Sequence, residues 1–134
     1  MDVGTSTNGD AESIKEHLET TYEVLGARPE LLYNGYQEHT ENVEAIIGYE
    51  QGLVSPYGRF IPSTDGLVTE LRKVGLLTRF ADCVPIVLFD PVLGVQSNIH
   101  SGWKGTLLGI GSKGAGAMKR AYSSDPRDII ALIG

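Results

Sequence analysis

One cysteine and three histidines are the residues of this 134-residue chain best suited to hold a borderline-soft metal ion. Zinc takes imidazole nitrogen and thiolate sulfur readily, and a catalytic zinc site keeps three protein ligands plus an open fourth position. His39, Cys83 and His100 each fall at the end of an expected strand, where a sheet can aim side chains into one cleft. No compact ligand motif such as CxxC or HExxH links them. On residue type alone, a small buried hydrophobe is the commoner fate of a free cysteine. A nucleophile with His100 as its base is a further reading of Cys83. His17 stands near Glu16 and Glu19 on the polar side of an expected helix and reads as solvated.

Three neighbouring features bear on the same chemistry. Asp82 adjoins Cys83 and could orient a ligand histidine, act as a base, or cap a turn. Residues 101–106, SGWKGT, place Lys104 at an expected helix start, where a cation and free N–H groups suit a phosphate. A tight turn with a solvated lysine is the plainer reading. Residues 109–114, GIGSKG, match GxGxxG literally, but the run begins inside an expected helix and not in the turn after a strand. The small residues from Gly109 to Ala117 are therefore expected to let that helix lie close to a sheet, at about 1 kcal/mol per glycine in helix propensity.

The elements that must position these groups follow from periodicity. Residues 10–25 carry Ile14, Leu18, Tyr22 and Leu25 at helical spacing, with Asp10 as a cap, Gly26 as a stop and Pro29 beyond it. Strands are expected over 31–37, 43–49, 66–69, 76–80, 84–89, 94–100 and 129–133, with an irregular loop over 50–63. The continuous apolar run at 84–89 implies burial on both faces, and 129–133 also reads as buried. In 94–100, Val95, Ser97 and Ile99 alternate with Gln96, Asn98 and His100, the pattern of a strand packed on one side. Residues 106–122 read as one helix. The totals fit one domain of mixed α/β class: 41% hydrophobic, 21% charged, net charge −6. Such an acidic surface disfavours nucleic acid or an anionic membrane as partner. No apolar run approaches the roughly 18 residues that span a membrane. With no signal-peptide pattern and a lone thiol, a cytoplasmic protein is expected.

ADCVPIVLFDP (81–91) followed by VQSNIHSGWKGTLLGI (95–110) resembles a known family. Its pattern is T-x-DC-x-P-[LIV]-x-x-x-DP and then H-[AS]-GW-[RK]-GT-x-x-GI. TDGLVT (64–69) is similar to the D-[AG]-L-[VI]-T segment that precedes this pattern, and Gln37-Glu38-His39 to a Q-x-H element. Residues 2–19 resemble the stretch near the family's start. The family was long labelled laccase-like multicopper polyphenol oxidoreductase, and peptidoglycan editing factor-like proteins belong with it. It is now described as zinc-dependent purine nucleoside phosphorylases with adenosine deaminase and methylthioadenosine phosphorylase activity. The resemblance implies Zn2+ held by His39, Cys83 and His100, which form the catalytic centre. It places Gln37, Asp82 and Lys104 on the substrate side, facing a purine nucleoside and phosphate. It implies a four-layer α/β/β/α architecture, with residues 1–134 as one partial catalytic domain lacking the family's flanking segments. Lys104 stands where arginine is usual, so phosphate would meet a point charge and not a bidentate fork. Thr40 replaces a frequent glycine. The rival readings are a cysteine hydrolase using Cys83 and His100, and a non-catalytic fragment. A copper oxidase fits poorly, because multicopper centres need far more histidines than three. Oligomeric state and preferred nucleoside stay open.

Overall fold

The computed structural model describes residues 11–134, beginning with α1 (Ala11–Leu25). Ile14, Leu18 and Tyr22 share one face of this helix and pack on Leu32, Tyr57 and Leu77. Gly26 follows in the left-handed region at φ 62°, and the Ala27 N–H returns to the Tyr22 carbonyl. This is the expected glycine stop. The expected cap at Asp10 lies outside the described residues.

The strands are β1 (Leu31–Gly35), β2 (Val43–Ala45), β3 (Leu53–Ser55), β4 (Gly58–Ile61), β5 (Gly66–Thr69), β6 (Val74–Leu77), β7 (Val84–Asp90), β8 (Val95–Ser101) and β9 (Ile130–Ile133). They form a first sheet in the order β3-β4-β1-β6 and a second in the order β2-β5-β8-β7-β9. Both sheets are mixed: β1 runs parallel to β4 and β6, and β2 parallel to β5, while the remaining pairs are antiparallel. α2 (Trp103–Leu107) and α3 (Ile110–Tyr122) lie between β8 and β9 in sequence.

Three apolar clusters set the layers. α1 covers the outer face of the first sheet. Tyr33, Ile46, Ile61, Leu67 and Val74 fill the space between the sheets. Val68, Leu88, Val95 and Ile99 pack with Ile110, Ala117 and Met118 of α3 on the far side of the second sheet. The order is α/β/β/α, as expected. β8 alternates as its sequence indicated: Val95, Ser97 and Ile99 are buried under α3. Its opposite face turns Gln96 and Asn98 to the first sheet, where their amides donate to the Val74 and Leu76 carbonyls at 2.9 and 3.1 Å. These bonds satisfy carbonyl groups of β6 at the rim of the first sheet.

Several expectations are corrected. Residues 50–63 hold the β3–β4 hairpin, because Pro56 and Tyr57 form a two-residue turn inside a paired segment. Strands expected over 31–37 and 43–49 stop at Gly35 and Ala45, and the one expected over 76–80 is shifted to Val74–Leu77. β7 is not buried on both faces: Val87 and Phe89 are 38% and 44% exposed. β9 is an exposed edge strand, with Ile130 and Leu132 at 54% and 66%. The second sheet has five strands, and β6 ends the first sheet opposite β8, so no strand of the first sheet extends over β7 and β9 among the described residues. The helix expected over 106–122 is broken at Leu108 and Gly109, the latter left-handed at φ 71°. His17 is partly buried and has a partner, so it is not simply solvated.

Two of the GxGxxG glycines, Gly111 and Gly114, pack as a helix-to-sheet contact, whereas nothing lies within 4 Å of a Cβ on Gly109. A Cβ on Gly114 would fall 2.3 Å from Ile99 Cδ1, and one on Gly111 3.2 Å from Ile86 Cδ1. Gly116 does not share this role, since its nearest neighbour would be the flexible end of Arg120. Gly114→Val should therefore destabilise the fold by about 1–3 kcal/mol through overpacking. Gly116→Ala should be neutral or stabilising by up to about 1 kcal/mol. Urea unfolding of both variants checks this, and equal effects would contradict the packing assignment.

Candidate metal centre

His39 lies in the loop that carries the chain from β1 in the first sheet to β2 in the second. Its backbone is left-handed at φ 56°, a conformation that costs a non-glycine residue energy and needs local support. The support comes from Asp65, just before β5. Asp65 Oδ1 accepts the His39 N–H at 3.1 Å, and Oδ2 accepts the N–H groups of Glu38 and Thr40 at 3.2 and 2.7 Å. The Thr40 hydroxyl donates to Oδ2 as well, at 2.7 Å. A glycine at position 40 would lack this last bond.

His100 sits near the end of β8 and is 4% exposed. Its N–H donates to the Asp65 carbonyl at 2.7 Å, and its Nδ1 lies 2.8 Å from Asp65 Oδ1. Burial pushes the Asp65 carboxyl up, but bonds from Thr40, His100 and Glu38 outweigh it and hold the group below the usual carboxylate range. An ionised acceptor there assigns the Nδ1–H tautomer to His100 and leaves Nε2 as a free donor atom for a metal.

Cys83 precedes β7, half-buried, with its Sγ 3.9 Å from His39 Nε2. The ligand atoms of His39, Cys83 and His100 all lie within 4.8 Å of one another. The two imidazoles meet edge to face, with ring centroids 5.0 Å apart. His39 is exposed and Cys83 partly so, which opens the cluster to solvent on one side and anchors it through His100 on the other. Two imidazoles, one thiol and an open side match the donor set of a catalytic metal site.

The surrounding residues fix how close these groups come. A Cβ on Gly102 would lie 2.6 Å from His39 Cδ2, although the backbone there, at φ −71°, suits any residue. Space, not flexibility, requires this glycine. Thr106 Oγ1 donates back to the Gly102 carbonyl at 2.9 Å and holds the start of α2 beside the cluster. Lys113 on α3 pairs with Glu41 and ties down the far end of the His39 loop.

The other residues expected at the site take distinct positions. Asp82 is exposed, with Oδ1 3.9 Å from Cys83 Sγ. Gln37 bridges to the backbone of Arg79, donating to its carbonyl at 2.8 Å and accepting its N–H at 3.0 Å, which clamps the segment before Cys83 to the His39 loop. Lys104 is exposed on α2, two residues past Gly102. Sequence reasoning singled out neither Asp65 nor Phe80. Asp65 lay inside TDGLVT, and its signal is a carboxylate at a strand start able to receive the second nitrogen of a ligand histidine. Phe80, 36% exposed, lies with its ring 5.7 Å from that of His100.

Comparison with known proteins agrees with this fold and site. Residues 1–134 match the family described as multi-copper polyphenol oxidoreductase laccase. Purine nucleoside phosphorylase LACC1 of Mus musculus is 35% identical over 121 residues, which cover 90% of this chain and 26% of that protein. Purine nucleoside phosphorylase YlmD of Bacillus subtilis is 35% identical over 99 residues, 73% of this chain and 36% of the relative. The crystal structure of YlmD from Geobacillus stearothermophilus superposes with a TM-score of 0.87 at 27% identity, covering 99% of this chain and 50% of that one. The chain thus spans half or less of the length of these relatives. Fold, cluster and sequence match converge: this chain belongs to the multi-copper polyphenol oxidoreductase laccase family.

Proposed function

We propose that this chain carries the metal centre of a zinc-dependent purine nucleoside phosphorylase. It would act on adenosine, inosine and methylthioadenosine, and would also deaminate adenosine. The observation that carries the reading is the convergence of His39, Cys83 and His100, with the second nitrogen of His100 engaged by Asp65. The purine nucleoside and phosphate come from the names of the relatives. Zinc suits two imidazoles and one thiolate. Blue-copper centres share that donor set but add a long axial thioether. Met118, the methionine among the described residues, is a buried residue of α3 on the opposite side of the second sheet. A multicopper centre would need more than the three histidines of the chain.

When bound, zinc supplies a Lewis acid that polarises an oxygen of phosphate, water or substrate. The chain's own residues do the rest. His39, Cys83 and His100 bind the ion, and Lys104 offers a point charge to phosphate from the start of α2. Phe80 presents a partly exposed ring against which a purine can stack. In phosphorolysis a phosphate oxygen bonds to C1′ as the glycosidic C–N bond breaks, and the departing base takes a proton. In deamination water adds at C6 and ammonia leaves. Asp82, exposed with Oδ1 3.9 Å from the Cys83 thiol, or a group outside residues 1–134, would move the proton in either case. Gln37 contributes by holding Arg79, and with it Phe80, against the His39 loop. A thiolate ligand must stay reduced, which supports a cytoplasmic setting. No helix of the described residues is long and apolar enough to cross a membrane.

A cysteine hydrolase is the rival, and the thiol distinguishes the two. The imidazole in contact with Cys83 is that of His39, and three donors converge where a hydrolase needs a dyad.

Purified full-length protein given adenosine and phosphate should yield adenine, hypoxanthine or ribose 1-phosphate. Cys83→Ala should abolish this turnover and lower bound zinc from about one equivalent to less than about a tenth. Unchanged turnover in that variant would sink the zinc mechanism. Iodoacetamide should leave the zinc-loaded protein active and should alkylate the metal-free protein, whereas stoichiometric inactivation of the loaded form would favour the hydrolase. Phe80→Ala should raise KM for the nucleoside roughly tenfold, from the loss of about 1–3 kcal/mol of base stacking, with little change in KM for phosphate.

A further inference from the structure

The two histidines of the cluster arrive from opposite directions, one on a loop crossing between the sheets and one at a strand end. The Asp65 side chain accepts hydrogen bonds from both. We infer that Asp65 is a positioning residue that presets the metal site, aiming the imidazole of His100 and holding the His39 loop in the conformation that brings its ring alongside. This inference rests on the metal-binding reading of the cluster.

The geometry is specific. The Asp65 side chain has no exposed surface and accepts five hydrogen bonds, four from Glu38, His39 and Thr40 and one from His100. The bonds from the loop gather three consecutive N–H groups on one carboxylate, which stabilises the left-handed backbone at His39. The bond from His100 Nδ1 has a different consequence. It fixes both the tautomer and the rotation of the imidazole, so Nε2 is presented toward His39 and Cys83 before any ion arrives. Cys83 lacks such a tether. Its thiol is half-buried, and its polar contacts among the described residues are with the exposed Asp82 and His39, each at 3.9 Å. The site is therefore a preset pair of histidines with a more adaptable third ligand.

A simple loop fastener would stabilise the fold without governing metal affinity, and the two roles are separable. Zinc affinity is measured by competition with a chromogenic chelator for the wild type, Asp65→Asn and Thr40→Ala, each shown to be folded by circular dichroism. Co2+ substitution reports ligand geometry through its visible ligand-field bands. Asp65→Asn should weaken zinc binding about 10–100-fold and shift the Co2+ bands. Thr40→Ala removes one bond to the carboxylate and spares the His100 contact, so it should lower thermal stability yet change zinc affinity less than about threefold. Affinity and Co2+ bands unchanged in Asp65→Asn would overturn the inference and leave the metal reading intact. A wild type that binds no zinc would overturn both. Should Asp65→Asn fail to fold, long-range 1H–15N correlation of the wild-type imidazoles decides. His100 protonated on Nδ1 in the metal-free protein supports the inference, and a proton on Nε2 contradicts it.

Discussion

A carboxylate removed from water must find donors in the protein, or it will not stay ionised. Asp65 solves this by collecting donors from two segments, the loop after β1 and the end of β8, 35 positions apart in the case of His100. The arrangement works because β5 and β8 are paired, with Gly66 opposite Ile99, so the residue before β5 lies beside the last residues of β8. The same loop is where the chain leaves the first sheet for the second. One buried charge thus fastens the sheets to each other at the point where the candidate ligands meet. Most of the other observations around the cluster, including the left-handed His39, the required smallness of Gly102 and the Thr106 brace on α2, are conditions for that fastening to hold.

The layers supply the rigidity the cluster needs. α3 lies close enough to β8 to leave no room for a side chain at Gly114, so the strand bearing His100 is held from behind by packing. From the front it is held by polar bonds, since Gln96 and Asn98 reach the carbonyls of β6. One strand is therefore locked by apolar contact on one face and by hydrogen bonds on the other. A ligand at its end inherits that order, as preorganised sites on regular elements do. Cys83, preceding the less covered β7, sits where the scaffold is looser.

Much of the framework could be read in the sequence because its signals are local. The apolar stripe of α1, its glycine stop and the alternation of β8 depend on residues a few positions apart, and they appear where periodicity places them. The β3–β4 hairpin was hidden because glycine and proline mark turns without saying whether the flanks pair. β7 and β9 look buried in the sequence because an apolar run reports hydrophobicity, whereas coverage depends on what other strands lie above. Position 109 broke a helix that its neighbours' composition favours. At the site, residue types alone admitted His39, Cys83 and His100 without favouring them, and resemblance supplied the set. Asp65 escaped both routes: an aspartate before a strand looks like a turn residue until the histidine that it orients is folded beside it.

The edge formed by β9 has a consequence for how the second sheet can grow. Ile130, Ala131, Leu132 and Ile133 carry no charge and no proline, and β7 occupies only one side of their backbone. Among the described residues no strand pairs with the other side. Such an edge templates strand addition. A further strand can therefore extend the second sheet past β9 without disturbing the cluster, since β9 joins the sheet through β7 and not through the strand that carries His100. Charged side chains at alternate positions of that strand would oppose such pairing without reaching His39, Cys83 or His100.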